Sequence, residues 1–234
     1  KDREKNNFDF EKNFIHHLSS PLPYRRKNNQ SVQEFCDGLV KEFEDKIIEL
    51  GSENVAAFIA EPVMASGGCI VPPEGYLKRI WQICKKYDVL YISDEVVTGF
   101  GRMGHFFSSE EVFDIIPDII TCAKGITSGY MPLGAVLFSD KLLNNIKKES
   151  ALFFHGYTYS GHPACCAAAL KNIEIMQRDK ILEHVQEIEP YFHKKLKSLY
   201  ELPIVGDVRG KGLMAGIECV INKDSKEALI LDKA

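Results

Sequence analysis

Apolar positions along this chain follow two alternating patterns. From Ser31 the spacing is helical: Phe35, Leu39, Phe43 and Ile47 recur every four residues, which puts them on one face of a helix. Ser31 and Glu34 stand as a capping box at its predicted start, and Gly51 supplies the stop. A short unbroken apolar run follows, Val55-Ala56-Ala57-Phe58-Ile59-Ala60, ending at Glu61-Pro62. After a Ser66-Gly67-Gly68 turn the spacing becomes helical again from about Glu74 to Tyr87, with Leu77, Ile80, Trp81 and Cys84 on one face. Strand-length runs are predicted over Val89–Ser93, Ile119–Ala123 and Leu133–Phe138. From Pro163 the pattern predicts a helix through Ala169, Leu170, Ile173 and Met176, then a more charged one from about Ile181 to Tyr200. The stretch Ile204 to Glu218 reads as a turn and strands, with Arg209 as a turn residue.

Continuous apolar runs alternating with helices indicate an α/β three-layer sandwich, in which a mostly parallel sheet is covered on both faces. Ligands of such sheets bind beyond the carboxyl ends of the strands. Glu61, Asp94 and Lys124 each stand at the end of an apolar run, so three strands bring polar groups to one edge. Lys124 closes its run between Ala123 and Gly125, whose small side chains leave space for a ligand. An amine there is expected to be desolvated and nucleophilic. Such an amine can form a Schiff base with an aldehyde, and a carboxylate can hold a protonated pyridine nitrogen.

Other readings of these residues stay open at this level. Asp94 fits an N-cap, and Glu61 fits a carboxylate capping the turn after its strand. The run into Asp94-Glu95 also resembles one element of a P-loop ATPase, but the chain contains no G-x-x-x-x-G-K-[ST]. His155 and His162 bracket a glycine-containing segment, yet a pair without a third ligand reads as structural. His16-His17 lies in a polar segment and reads as solvated.

Composition narrows the class. With 45% hydrophobic and 26% charged residues in 234, the chain reads as soluble and globular. A net charge of −4 with mixed signs gives no reason to expect nucleic acid or an anionic membrane. The apolar runs fall well short of the roughly 20 residues of a membrane span. The start is charged, carries no signal peptide and lacks an initiator Met, so the chain is expected to be a piece of a longer one. Seven cysteines at irregular spacing read as buried free thiols in a reducing compartment, which points to the cytoplasm.

Four motifs in order carry a family resemblance: Glu61-Pro62-Val63, Asp94-Glu95-Val96 with the Gly99-Phe100-Gly101-Arg102 loop, Ala123-Lys124-Gly125, and Thr158-Tyr159-Ser160-Gly161-His162-Pro163. The chain resembles the class III pyridoxal-phosphate aminotransferases over nearly its whole length. The resemblance implies an aspartate-aminotransferase-like fold, with residues 1–178 part of the large cofactor-binding domain and 179–234 the start of a small α+β domain. It implies that Lys124 forms the Schiff base with pyridoxal 5′-phosphate and then shuttles a proton. It implies that Asp94 holds the ring nitrogen, that Val96 packs on one ring face, and that Thr158 reaches across a homodimer interface to the partner's cofactor phosphate. Glu61 matches a glutamate near the cofactor. Val97 stands where many relatives have a glutamine, as in the branch of ω-amino acid:pyruvate transaminases. Gly51-Ser52-Glu53-Asn54 imitates the family's phosphate loop but lies in the wrong place and reads as a helix stop. The phosphate loop, the second stacking aromatic and the substrate arginine have no counterpart in this chain. The implied reaction moves an amino group from an amine or ω-amino acid to a keto acid such as pyruvate. An aminomutase or decarboxylase on the same scaffold, and a truncated non-catalytic remnant, are the alternatives.

Overall fold

The computed structural model describes residue 11 and residues 13–148 and 153–229. Ser31 opens helix α1 (Val32–Leu50): its side chain accepts from the Glu34 N–H, and the Glu34 carboxylate accepts from the Ser31 N–H. Gly51 ends the helix at φ 79°, a conformation that costs glycine little. Strand β1 (Ala57–Ala60), helix α2 (Tyr76–Lys86) and strand β2 (Leu90–Asp94) follow. A short helix α3 (Ser108–Phe113) leads into β3 (Ile119–Cys122) and β4 (Ala135–Phe138), which precedes helix α4 (Asp140–Lys148). Helices α5 (Pro163–Arg178) and α6 (Ile181–Lys197) then connect to strands β5 (Val205–Lys211), β6 (Met214–Asn222) and β7 (Glu227–Ala228).

Strands β1 to β4 form one sheet in sequence order. The first three are parallel and β4 runs antiparallel to β3. Side chains alternate between its two faces. On one face Phe58 packs on Phe43 of α1 and on Tyr91, with ring centroids 4.9 and 5.4 Å apart. Ile47, Leu77, Ile80 and Cys84 from α1 and α2 complete this core. Further along the same face, Cys122 and Ile126 pack against Ala169 of α5.

The other face departs from expectation. The register places Ile59, Ile92, Ile119 and Phe138 in one row across the four strands. At the two ends of that row Ile59 is 60% and Phe138 38% exposed, and Ile92 and Ile119 between them are half-buried. Continuous apolar strands therefore mark two faces that favour cover, of which the described helices supply one. Exposed apolar surface of this kind marks a contact surface.

Strands β5, β6 and β7 make a second, antiparallel sheet. Arg209 is not a turn residue: it lies within β5, its side chain 12% exposed. Its Nε donates to the Gly68 carbonyl at 2.9 Å, while its two terminal nitrogens reach Asp207 and Glu218 at 3.0 Å each. Arg25 also pairs with Glu218. This network ties the turn after β1 to the second sheet.

The Arg25 and Arg209 guanidiniums hold the Glu218 carboxyl below its ordinary value against the opposing effect of burial. A depressed folded-state value means the contribution is present above the unfolded value near 4.5 and is lost as pH falls through that region. We expect Glu218→Gln to destabilise the fold by about 1–2 kcal/mol at pH 7. In urea denaturation that difference should shrink steadily below pH 4.5.

Candidate active site

Parallel pairing of β1, β2 and β3 brings three chain segments to one edge. Glu61 follows β1, Asp94 is the last residue of β2, and Lys124 lies two residues beyond β3. Asp94 pairs in register with Thr121, so both lie on the uncovered face with Ile92 and Ile119. Asp94 is half-buried. Its Oδ1 accepts the Val96 N–H at 3.1 Å, and its Oδ2 accepts no hydrogen bond from the described residues.

Glu61 takes the bland role allowed by the sequence. Its Oε2 accepts the Ala65 N–H at 3.0 Å and caps the turn after β1.

Glu95, one residue past Asp94, faces the opposite way and is fully buried. Its carboxylate accepts five hydrogen bonds: from the Thr98 hydroxyl at 2.7 Å, the Ser108 N–H and hydroxyl at 3.0 and 2.8 Å, and the Ser109 N–H and hydroxyl at 2.7 and 2.5 Å. The two amide groups can only donate, so both oxygens are held as acceptors. Burying a carboxylate costs several kcal/mol unless donors replace its water; here two serines, a threonine and the first turn of α3 do so.

The glycine loop Gly99–Gly104 folds back on itself. Phe100 N–H donates to the Phe106 carbonyl at 2.8 Å and Gly101 N–H to that of His105 at 3.0 Å. This loop presses on the lysine turn: a Cβ on Gly125 would lie 2.8 Å from the Phe100 Cβ and 3.2 Å from the Gly99 carbonyl. Only glycine permits that approach. Lys124 itself is left-handed, with φ 44°, and opens a short 3₁₀ turn, Lys124–Thr127. A non-glycine residue in that region costs about 1–2 kcal/mol, so the surroundings must impose it.

Lys124 is exposed rather than desolvated. The strand ends at Cys122, and the left-handed backbone carries the lysine out of it. Val96 is half-buried beside Asp94. Val97 packs against Val63, Cys69, Met103 and Met214, which gives its apolar character a structural reason. Thr158 lies far along the chain in an exposed turn closed by the Tyr157 N–H on the Ser160 hydroxyl at 3.0 Å. Cys36, Cys69, Cys84 and Cys122 are buried, and burial pushes their thiols up, that of Cys84 to about 12, so they are poor nucleophiles. Among the described residues, no group of three or more His, Cys, Asp or Glu side chains could hold a metal ion.

Comparison with known proteins decides the family. The profile of aminotransferase class-III matches residues 1–234. The chain belongs to the class III aminotransferases. A putrescine–pyruvate aminotransferase from Pseudomonas aeruginosa is 44% identical over 214 residues, covering 91% of this chain and 46% of that protein. An (S)-enantioselective ω-transaminase from Thermomicrobium roseum superposes with a TM-score of 0.92 at 44% identity, over 97% of this chain and 51% of that one. An ω-transaminase from Pseudomonas jessenii in complex with PMP gives a TM-score of 0.90 at 37% identity, over 98% and 51%. The chain thus spans about half the length of the relatives it matches.

Class III aminotransferases use pyridoxal phosphate, and the edge fits that group in its donor set. It offers one exposed primary amine and one carboxylate with an uncommitted oxygen, at the ends of neighbouring parallel strands.

Sequence reasoning gave Glu95 no role, although the Ser108-Ser109 pair opening α3 is a usable signal for it. We expect Glu95→Gln to cost about 3 kcal/mol in urea denaturation, because an amide N–H₂ would then face the Ser108 or Ser109 N–H. Thr98→Ala, which removes one of five donors, should cost only about 1 kcal/mol.

Proposed function

We propose that this chain carries the cofactor-binding edge of a pyridoxal-phosphate-dependent transaminase. The enzyme would move an amino group from an amine or ω-amino acid to a keto acid such as pyruvate. One observation carries the reading: two adjacent parallel strands deliver Asp94 and Lys124 to the same edge. The putrescine–pyruvate and ω-transaminase relatives support the substrate class.

Bound pyridoxal phosphate supplies an electrophilic carbonyl carbon and a ring that withdraws electrons when its nitrogen is protonated. Asp94 is the residue to hold that nitrogen, since its Oδ2 is available to accept the N–H. A full negative charge there keeps the proton on the ring nitrogen. Lys124 provides the nucleophilic amine, and its Nζ is the group that takes and returns the proton at the reacting carbon. Val96, half-buried next to Asp94, is the residue we assign to one face of the ring. Glu61 remains near the edge as a turn cap rather than a direct contact. Residues 1–178 then form part of the large domain and 179–234 the start of the small one, in a cytoplasmic enzyme.

The assembly we favour is a homodimer with shared sites. The segment around Thr158 displays Phe153, Phe154, Tyr157 and Tyr159, from 59% to 92% exposed. Aromatic clusters of this kind are enriched at protein interfaces, and a second copy covering them would bring Thr158 to a neighbouring cofactor phosphate.

The test uses the complete gene product. Lys124→Ala should abolish the pyridoxyl label that borohydride fixes on the protein, and should lower transamination by about 10³-fold or more. A label that survives moves the nucleophile elsewhere. Asp94→Asn should keep the label and reduce kcat by roughly 10²–10³-fold; unchanged turnover removes Asp94 from the reaction. Release of CO₂, or isomerisation without a keto acid, would replace transamination by decarboxylase or mutase chemistry.

A further inference from the structure

Asn172, on α5, is a full 48 positions beyond Lys124 in sequence. Its side-chain amide nevertheless contacts the lysine turn at three points. Nδ2 donates to the Gly125 carbonyl at 2.9 Å and to the Ile126 carbonyl at 3.1 Å. Oδ1 accepts from the Ser128 hydroxyl at 2.7 Å. These are the two residues directly after Lys124 and the left-handed residue, φ 49°, that ends the turn. One half-buried side chain thus holds both ends of the 3₁₀ segment.

On the turn's other side is the close approach of Gly125 to Phe100 and Gly99. The turn is pinched between a backbone contact and the Asn172 amide. A lysine side chain is long and flexible, so the protein can aim its amine only by fixing the backbone from which it grows. Two left-handed residues four positions apart do not persist without such a constraint. Small misplacement of a reacting group is costly: a shift of about 1 Å can lower rate about a hundredfold.

We infer that Asn172 is a positioning residue for Lys124, acting through the carbonyls of Gly125 and Ile126. The inference rests on the proposed role of Lys124, and its test separates the two. In the complete gene product, loaded with pyridoxal phosphate, Asn172→Leu keeps the branched shape and removes all three hydrogen bonds. We expect kcat to fall by about 10- to 100-fold. The KM for the amino donor should stay within about threefold, and the pH midpoint of the visible absorbance of the lysine–cofactor linkage should move. Asn172→Asp keeps size and sets carboxylate oxygens against the two carbonyls, so its kcat should fall at least as far. Ser128→Ala loses one of the three bonds and spares both carbonyl bonds, so its kcat should fall less than that of Asn172→Leu.

A purely structural Asn172 would instead lower the melting temperature while kcat per bound cofactor and the absorbance midpoint stayed at parent values, and that result overturns the inference. If Asn172→Leu does not fold, Asn172→Asp decides by the same two readouts. Lys124→Ala serves as the reference. Loss of its borohydride label together with parent-like Asn172 variants defeats the positioning role alone, whereas a retained label defeats the lysine assignment on which it stands.

Discussion

A buried carboxylate organises the carboxyl edge of the first sheet. Glu95 has no exposed surface, and its desolvation is offset only because five donors converge on it from Thr98, Ser108 and Ser109. Those donors lie three, thirteen and fourteen residues away, so satisfying one carboxylate fixes the whole segment from the end of β2 to the start of α3. The Gly99 N–H on the Glu95 carbonyl at 3.0 Å tightens it further. Asp94 inherits a fixed backbone from its neighbour. The glycine loop inherits a fixed root, and through its contact with Gly125 it passes that constraint to the lysine turn.

The edge therefore consists of two rigid turns pressed together. Each has left-handed residues that the chain would not adopt alone: Phe100 in the loop, Lys124 and Ser128 in the turn. Their strain is held by hydrogen bonds reaching in from distant elements, the Ser108-Ser109 pair on one side and Asn172 on the other. This division separates the groups that fix geometry from the groups free to react. The carboxylate that is saturated with donors is Glu95, and the one with an uncommitted oxygen is Asp94.

Much of this was legible in the sequence. The capping box at Ser31, the stop at Gly51 and the apolar runs predicted α1, α2, α5, α6 and β1 to β4 to within a few residues, because each depends on neighbours in the chain, whereas the short helices α3 and α4 were not anticipated. The position of Lys124, Asp94 and Glu61 on one edge followed from parallel strands alone. What depended on distant partners was not legible. Glu95 had no assigned role because most of its donors open a separate helix thirteen residues on. Nothing in the local sequence marked Asn172, and Arg209 read as a turn residue, because the carbonyls they reach lie on other elements. Lys124 was expected to be buried by its apolar approach; the left-handed turn that exposes it shows no signal beyond the glycine that follows.

The segment Asp94 to Val97 shows why the edge tolerates little change. Four consecutive side chains each meet a different environment. Asp94 lies on the uncovered face, and Glu95 enters the serine pocket. Val96 stays half-buried beside the carboxylate, and Val97 joins the cluster of Val63, Met103 and Met214. Met214 belongs to β6, and the Leu213 N–H just before it donates to the Arg102 carbonyl at 3.0 Å. Val97 is thus where the candidate site is anchored to the second sheet. Val97 is half-buried at the margin of this cluster, so its side chain contributes apolar contact to the packing between the loop after β2 and β6. The apolar residue at position 97 thus also serves the packing between the two sheets.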